Sequence, residues 1–218
     1  MAGCSHASAL LSCASRALAV RVLRLLAMLA DDSSSNQFAL AKNGGMPLLI
    51  MWLSGGLDNR SFNADAQKEA ARGMLSLSAN NSQLQLLMAK SNGIPPLIEL
   101  VSKGSLETKE YATRTLWHLA GNSAVGEVIA QAGGLIPLVS MLSNDDVHAQ
   151  ELAAVVISRL ASSNPNVSLT VAEAGGVPPL VRLVKGGSTA AQQQAAAALA
   201  EVGLAPANRD LIAEAGGI

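Results

Sequence analysis

The sequence predicts an all-α protein made of stacked short helices, and three observations lead there. Alanine and leucine, both strong helix formers, make up about a third of the 218 residues. Apolar residues are 50% of the chain, charged residues 14% and aromatics only 2%. That mixture excludes disorder, which combines low hydrophobicity with high charge. It also disfavours a β-sandwich, which draws on Val, Ile, Thr and aromatics. Finally, one glycine-containing phrase recurs five times at nearly constant spacing.

The phrase reads apolar, Ala, two variable residues, Gly or Asn, then Gly. Its copies are Leu40-Ala41-Lys42-Asn43-Gly44-Gly45, Met88-Ala89-Lys90-Ser91-Asn92-Gly93, Ile129-Ala130-Gln131-Ala132-Gly133-Gly134, Val171-Ala172-Glu173-Ala174-Gly175-Gly176 and Ile212-Ala213-Glu214-Ala215-Gly216-Gly217. Successive copies are 48, 41, 42 and 41 residues apart. A fixed period of this size is the signature of a repeat array.

Each unit begins with a short first helix that the glycine pair ends, because glycine accepts the left-handed conformation past a helix C-terminus. A proline follows at Pro47, Pro95 and Pro178, where the first turn has no hydrogen bond to lose. A second helix then carries paired apolar residues, such as Leu97-Ile98 with Leu100-Val101 and Leu180-Val181 with Leu183-Val184. That is the buried stripe of an amphipathic helix.

A longer third helix comes after a polar turn. Its end reads Met74-Leu75-Ser76-Leu77-Ser78, Leu116-Trp117-His118-Leu119-Ala120, Ile157-Ser158-Arg159-Leu160-Ala161 and Leu199-Ala200-Glu201-Val202-Gly203. Six residues before each centre stands Ala70, Ala112, Ala153 or Ala195, small enough for close helix approach. An upstream copy, Leu26-Ala27-Met28-Leu29-Ala30, makes residues 15–30 a repeat helix. Their competing reading is an organelle-targeting segment, since residues 1–30 hold Arg16, Arg21 and Arg24 and no acid.

This phrase, with Ala-x-Ala-Gly-Gly-φ-x-Pro-Leu-Val at 130–139 and 172–181, resembles the armadillo repeat. The resemblance implies a right-handed α-α superhelix, an armadillo-type solenoid. It divides the chain into an uncertain segment or degenerate helix at 1–14, a partial unit at 15–31, and full units at about 35–79, 81–121, 122–162 and 164–203, closed by a partial unit at 206–218. Terminal units of solenoids need polar caps. Neither end has one, so further repeats or domains are expected beyond both. The interval from Leu53 to Met74 is 21 residues against 15 in the other units, which places an insertion within 55–64. It reads as a tolerated loop or as a partner contact through Phe62.

Enzyme chemistry finds no foothold. There is no phosphate-binding Gly-x4-Gly-Lys-Ser/Thr and no Gly-x-Ser-x-Gly nucleophile motif. His6, His118 and His148 stand apart from any metal-ligand spacing. Asp145-Asp146 sits where a helix cap belongs. Cys4 and Cys13, the only cysteines, fit reduced thiols in a cytoplasmic protein, with the nucleus as a second compartment. No cofactor, no catalytic residue and no metal are expected. Nor is a transmembrane segment: the longest apolar run is about eight residues, where a span needs about 20. The net charge of −1 argues against nucleic acid, whose binding rests on phosphate neutralisation. The charge is uneven, with 11 Lys/Arg against 8 Asp/Glu up to residue 120 and 4 against 8 after it.

A protein-binding surface remains. In armadillo proteins the third helices line a concave face, and nuclear import adaptors there carry an Asn ladder with a Trp one turn earlier. This chain departs from that pattern. Met28, Ser76, His118, Arg159 and Glu201 hold the Asn positions, and Arg24, Arg72, Arg114, Val155 and Ala197 the Trp positions. Arg24, Arg72 and Arg114 share one register in successive units. Helices pack about 8–10 Å apart and an extended segment advances about 3.3 Å per residue, so every third residue of a bound segment could meet one arginine. The expected partner is another protein offering an extended acidic or phosphorylated segment, gripped by Arg24, Arg72, Arg114, His118, Arg159, Ser76 and Glu201. The stripe also reads as a solvated helix face. Glu110 precedes Arg114 by one turn, a pairing that stabilises helices on its own, and Glu69 stands at i−3 from Arg72. Trp52 aligns with Leu100, Met141 and Leu183 and reads as core, and Trp117 as a packing residue between units. A second expected role is substrate recognition in a ubiquitin ligase whose U-box lies outside these residues.

Overall fold

The computed structural model describes residues 16–31, 33–55 and 63–217. Residues 1–14 and the stretch 56–62, with Phe62 and most of the expected insertion, lie outside the described residues, as do Cys4 and Cys13. Every regular element among the described residues is helical.

Fourteen helices follow in order among those residues: α1 (Arg16–Ala30), α2 (Ser34–Lys42), α3 (Gly45–Leu53), α4 (Ala64–Ser78), α5 (Ser82–Lys90), α6 (Ile94–Lys103), α7 (Leu106–Ala120), α8 (Ser123–Gln131), α9 (Leu135–Met141), α10 (Val147–Ser163), α11 (Pro165–Glu173), α12 (Val177–Gly186), α13 (Thr189–Val202) and α14 (Pro206–Glu214). The chain falls into two compact parts, one ending at His118 and the other starting at Leu119.

In the first part, α4 packs on α1 and α3, and α3 meets α6. Its core holds Leu23, Leu49, Met74, Leu77 and Leu97. In the second part, α13 packs on α10 and α12, while α11 touches α8, α10 and α14. Ile157, Leu160, Val171 and Leu180 fill that core. The small residues Ala70, Ala112, Ala153 and Ala195 are all fully buried, as their recurrence predicts. Trp52 is buried as well.

The glycine corners show a division of labour that the sequence only half revealed. The first residue of the pair takes the left-handed conformation, with Gly175 at φ +75. Asn92 does the same at φ 59 in the one copy that lacks glycine there. The Gly176 and Gly175 amides close the helix end on the Val171 and Ala172 carbonyls, both at 2.9 Å, the paired bonds of a Schellman cap. The second residue is glycine for want of space: a Cβ on Gly176 would lie 2.8 Å from Val171 Cγ1. At the other kind of boundary, Asp146 caps α10 by accepting the His148 amide at 3.0 Å.

Candidate functional site

The third helices of the first part carry the arginine register, and the structure gives each arginine an acidic neighbour. Arg24 on α1 donates from Nε to Glu69 Oε1 on α4 at 2.8 Å. Arg72 on α4 donates from Nη2 to Asp31 Oδ2, just past α1, at 3.1 Å. Ser76 Oγ donates to the other Asp31 oxygen. Arg114 on α7 pairs with Glu110 one turn earlier, Nη2 to Oε1 at 2.9 Å. Beside them, Lys68 on α4 reaches Glu107 on α7 at 3.0 Å. That hydrogen bond, with the negative charges of Glu107, Asp65 and Glu69, holds the Lys68 ammonium above its usual 10.5.

Glu69 therefore serves the preceding unit. The sequence offered it as an i−3 neighbour of Arg72, but its carboxylate turns to Arg24 instead. Its side chain is 5% exposed, and Oε2 has no hydrogen-bond partner among the described residues. The arginines themselves remain open, with 53%, 34% and 47% of the side chains of Arg24, Arg72 and Arg114 exposed. Each ion pair uses one N–H of a guanidinium that has five.

His118 lies edge-on to Trp117, ring centres 4.9 Å apart at 65°. Ser76 is buried by its place between Asp31 and the α4 backbone. In the second part, the Arg159 guanidinium lies over Gly121, where a Cβ would come within 2.4 Å of Nη2. Glu201 is half-buried on α13, and its backbone carbonyl accepts Ser168 Oγ at 3.2 Å.

Sequence reasoning missed a set of buried polar residues on the first helices. Gln37 Nε2 donates to the Ala30 carbonyl at 3.2 Å and to the Ser76 carbonyl at 2.9 Å, so one amide ties the ends of two successive third helices. Asn81 Nδ2 completes it at 3.3 Å from Gln37 Oε1. Gln85 caps the Ser78 carbonyl at 2.8 Å, and Asn208 Nδ2 ties the Ser168 and Val202 carbonyls, each at 2.9 Å. A signal was available: Gln37, Gln85 and Ser168 stand at the same place before their glycine corners.

Among the described residues, no group of three or more His, Cys, Asp or Glu could hold a metal ion. No single helix there is long and apolar enough to cross a membrane.

The comparisons agree with this architecture. The armadillo/β-catenin-like repeat model matches residues 81–121 and 163–202. U-box domain-containing protein 12 of Arabidopsis thaliana is 30% identical over 93 residues, which are 43% of this chain and 14% of that protein. The match thus spans a small fraction of its relative. Among solved structures, an engineered protein superposes with a TM-score of 0.86 at 26% identity, over 100% of this chain and 86% of the other. A designed armadillo repeat protein gives 0.83 at 23% identity, over 93% and 83%. Another designed armadillo repeat protein, in complex with the peptide (KR)4, gives 0.76 at 23% identity, over 89% and 80%.

Proposed function

We propose, on the premise that this chain belongs to the armadillo-repeat family, that it is a non-catalytic scaffold whose first part binds an extended acidic or phosphorylated protein segment along Arg24, Arg72 and Arg114. The observation behind this reading is the behaviour of Arg24 and Arg72. Both already seat a carboxylate brought from a neighbouring unit, and both stay open to solvent with N–H groups to spare. A carboxylate or phosphate from outside meets the same fork. His118 extends the stripe beside Arg114. Ser76 contributes by holding Asp31, and Arg159 and Glu201 hold the equivalent register on α10 and α13 of the second part.

The test is fluorescence anisotropy at low salt with labelled glutamate-rich and phosphoserine peptides, and the basic peptide (KR)4 as counter-probe. Arg72→Glu with Arg114→Glu should weaken acidic binding by about tenfold or more, because rim charges act through the field and its salt dependence. Unchanged affinity for the acidic peptides, or stronger binding of (KR)4 by the native chain, defeats the reading.

A second reading has one observation in its favour, the U-box protein similarity. In it the array selects substrates for a ubiquitin ligase whose U-box lies in other sequence. Sequencing the transcript upstream of the Met1 codon decides it, since an in-frame U-box supports this reading and its absence removes it. Both readings place the chain in the cytoplasm, with the nucleus as a second compartment. A fluorescent fusion found in an organelle would instead make residues 1–30 a targeting segment.

A further inference from the structure

Asp146 caps α10, whereas Asp145 stands exposed in the turn that joins α9 to α10. Ser143, earlier in the same turn, is exposed as well. It is the one serine or threonine in the chain with an acid at both the second and the third place after it. Hydrogen bonds fix the shape of this turn. The Ser143 and Asn144 amides donate to the Ser140 and Met141 carbonyls at 3.2 and 3.1 Å. Asn144 Oδ1 accepts the Asp146 amide at 3.1 Å, and the Asn144 carbonyl accepts Gln150 Nε2 at 2.6 Å.

The group that faces this hydroxyl comes from the next unit. Arg182 on α12 donates from Nη2 to Ser143 Oγ at 3.1 Å, an exposed contact across 39 residues of sequence. Counted from their glycine corners, the other units put Met51, Glu99 and Ser140 at the place of Arg182. Ser54 and Ser102 hold the place of Ser143 in two of them, and neither is followed by an acid at those two places. Hydroxyl, downstream acids and facing guanidinium therefore meet in one unit. The hydroxyl takes a single N–H of a group that offers five. A phosphate on the same oxygen would accept several, in stronger charge-assisted bonds.

We propose that Ser143 is a phosphorylation site and that Arg182 receives the phosphate, binding the α9–α10 turn to α12 of the following unit. The reagents are a nucleoside triphosphate and a serine kinase whose substrate groove is basic. Asp145 and Asp146 supply the carboxylates that such a groove selects by charge complementarity. Ser143 Oγ forms the new bond to the γ-phosphorus. The bond from that phosphorus to the oxygen of the leaving nucleoside diphosphate breaks, and the kinase's catalytic carboxylate takes the hydroxyl proton. The product carries nearly two negative charges beside two aspartates. Arg182 offsets that repulsion, as does the N-terminus of α10, which favours negative charge and already engages the Asp146 carboxylate through the His148 amide.

The test incubates the full chain with ATP and a purified serine kinase that requires a carboxylate three residues after its target. Tandem mass spectrometry reads the site and thermal melting reads the consequence. The native chain should take up phosphate at Ser143, and Ser143→Ala should lose that uptake. Asp145→Asn with Asp146→Asn keeps a capping oxygen before α10 and should be modified about tenfold more slowly, since it lacks the charges the groove selects. The modified native chain should melt about 2–4 °C above the unmodified one, the shift expected of one added ion pair in a chain of this size. That rise should shrink in about 500 mM salt. Arg182→Gln should still be modified at Ser143 but show no rise. A Ser143 that takes no phosphate, a double asparagine variant modified at the native rate, or a rise that persists in Arg182→Gln overturns the proposal. Ser143 and Arg182 are separate from the residues assigned to segment binding, so peptide affinity reports independently.

Discussion

Arg24 and Glu69 are 45 residues apart in sequence and 2.8 Å apart in space, an exposed guanidinium holding a buried carboxylate across two successive repeat units. Removing the arginine strands the acid. Arg24→Ala is expected to cost about 1–3 kcal/mol, the penalty for a buried polar group left without its partner. Glu69→Gln should cost less, because the amide oxygen still accepts from Arg24. Urea denaturation of both single variants and the double variant checks this, with a coupling near zero as the contrary result.

The two glycines of a corner should respond differently. Gly175→Ala meets open space and pays only for its left-handed backbone, about 1–2 kcal/mol. Gly175→Asn should be close to neutral, since Asn92 fills that place in another unit. Gly176→Ala forces a Cβ against Val171 Cγ1 and the Val171 carbonyl, and overpacking of this kind costs about 1–3 kcal/mol. Thermal melts of the three variants should rank Asn at 175 as mildest and Ala at 176 as worst.

Gln37→Leu should destabilise the first part more than its exposed neighbours do. The substitution frees the Ala30 and Ser76 carbonyls and the Asn81 amide together, and each unmet buried group carries a penalty of about 1–3 kcal/mol. Hydrogen exchange should show the loss concentrated at the ends of α1 and α4. A loss spread evenly over all helices would argue against the bridging role.

Lys68 gives a pH signature with a definite sign. Its folded value is raised by Glu107, so its contribution is complete below the usual lysine value of 10.5 and fades as pH climbs through the folded value. Native chain and Lys68→Gln should therefore differ most at neutral pH and converge in strong alkali. Equal stabilities at neutral pH would show that the pair contributes nothing.

The corner glycines and the cap at Asp146 were legible because each is decided within one turn of its own helix, and the buried alanines at 70, 112, 153 and 195 because they recur at the repeat period. The pair Glu110–Arg114 was legible for the same reason. The partners of Arg24 and Arg72 were not. Periodicity names the helix that faces a side chain, but a rotation of a few tens of degrees decides which of Lys68, Glu69 and Arg72 turns toward α1. Gln37 escaped for a related reason: on a short helix a lone amide looks like surface until the carbonyls at the ends of two neighbouring helices converge on it.

On the proposed reading, a segment that docks at Arg72 has to compete with the Asp31 carboxylate already held there. An incoming carboxylate that displaces Asp31 swaps one singly charged acid for another and gains little. On the same reading a phosphate, with nearly twice the charge and three oxygens, would compete better than a carboxylate. Docking at Arg72 would then read whether a kinase had visited the partner, with the resident aspartate setting the threshold.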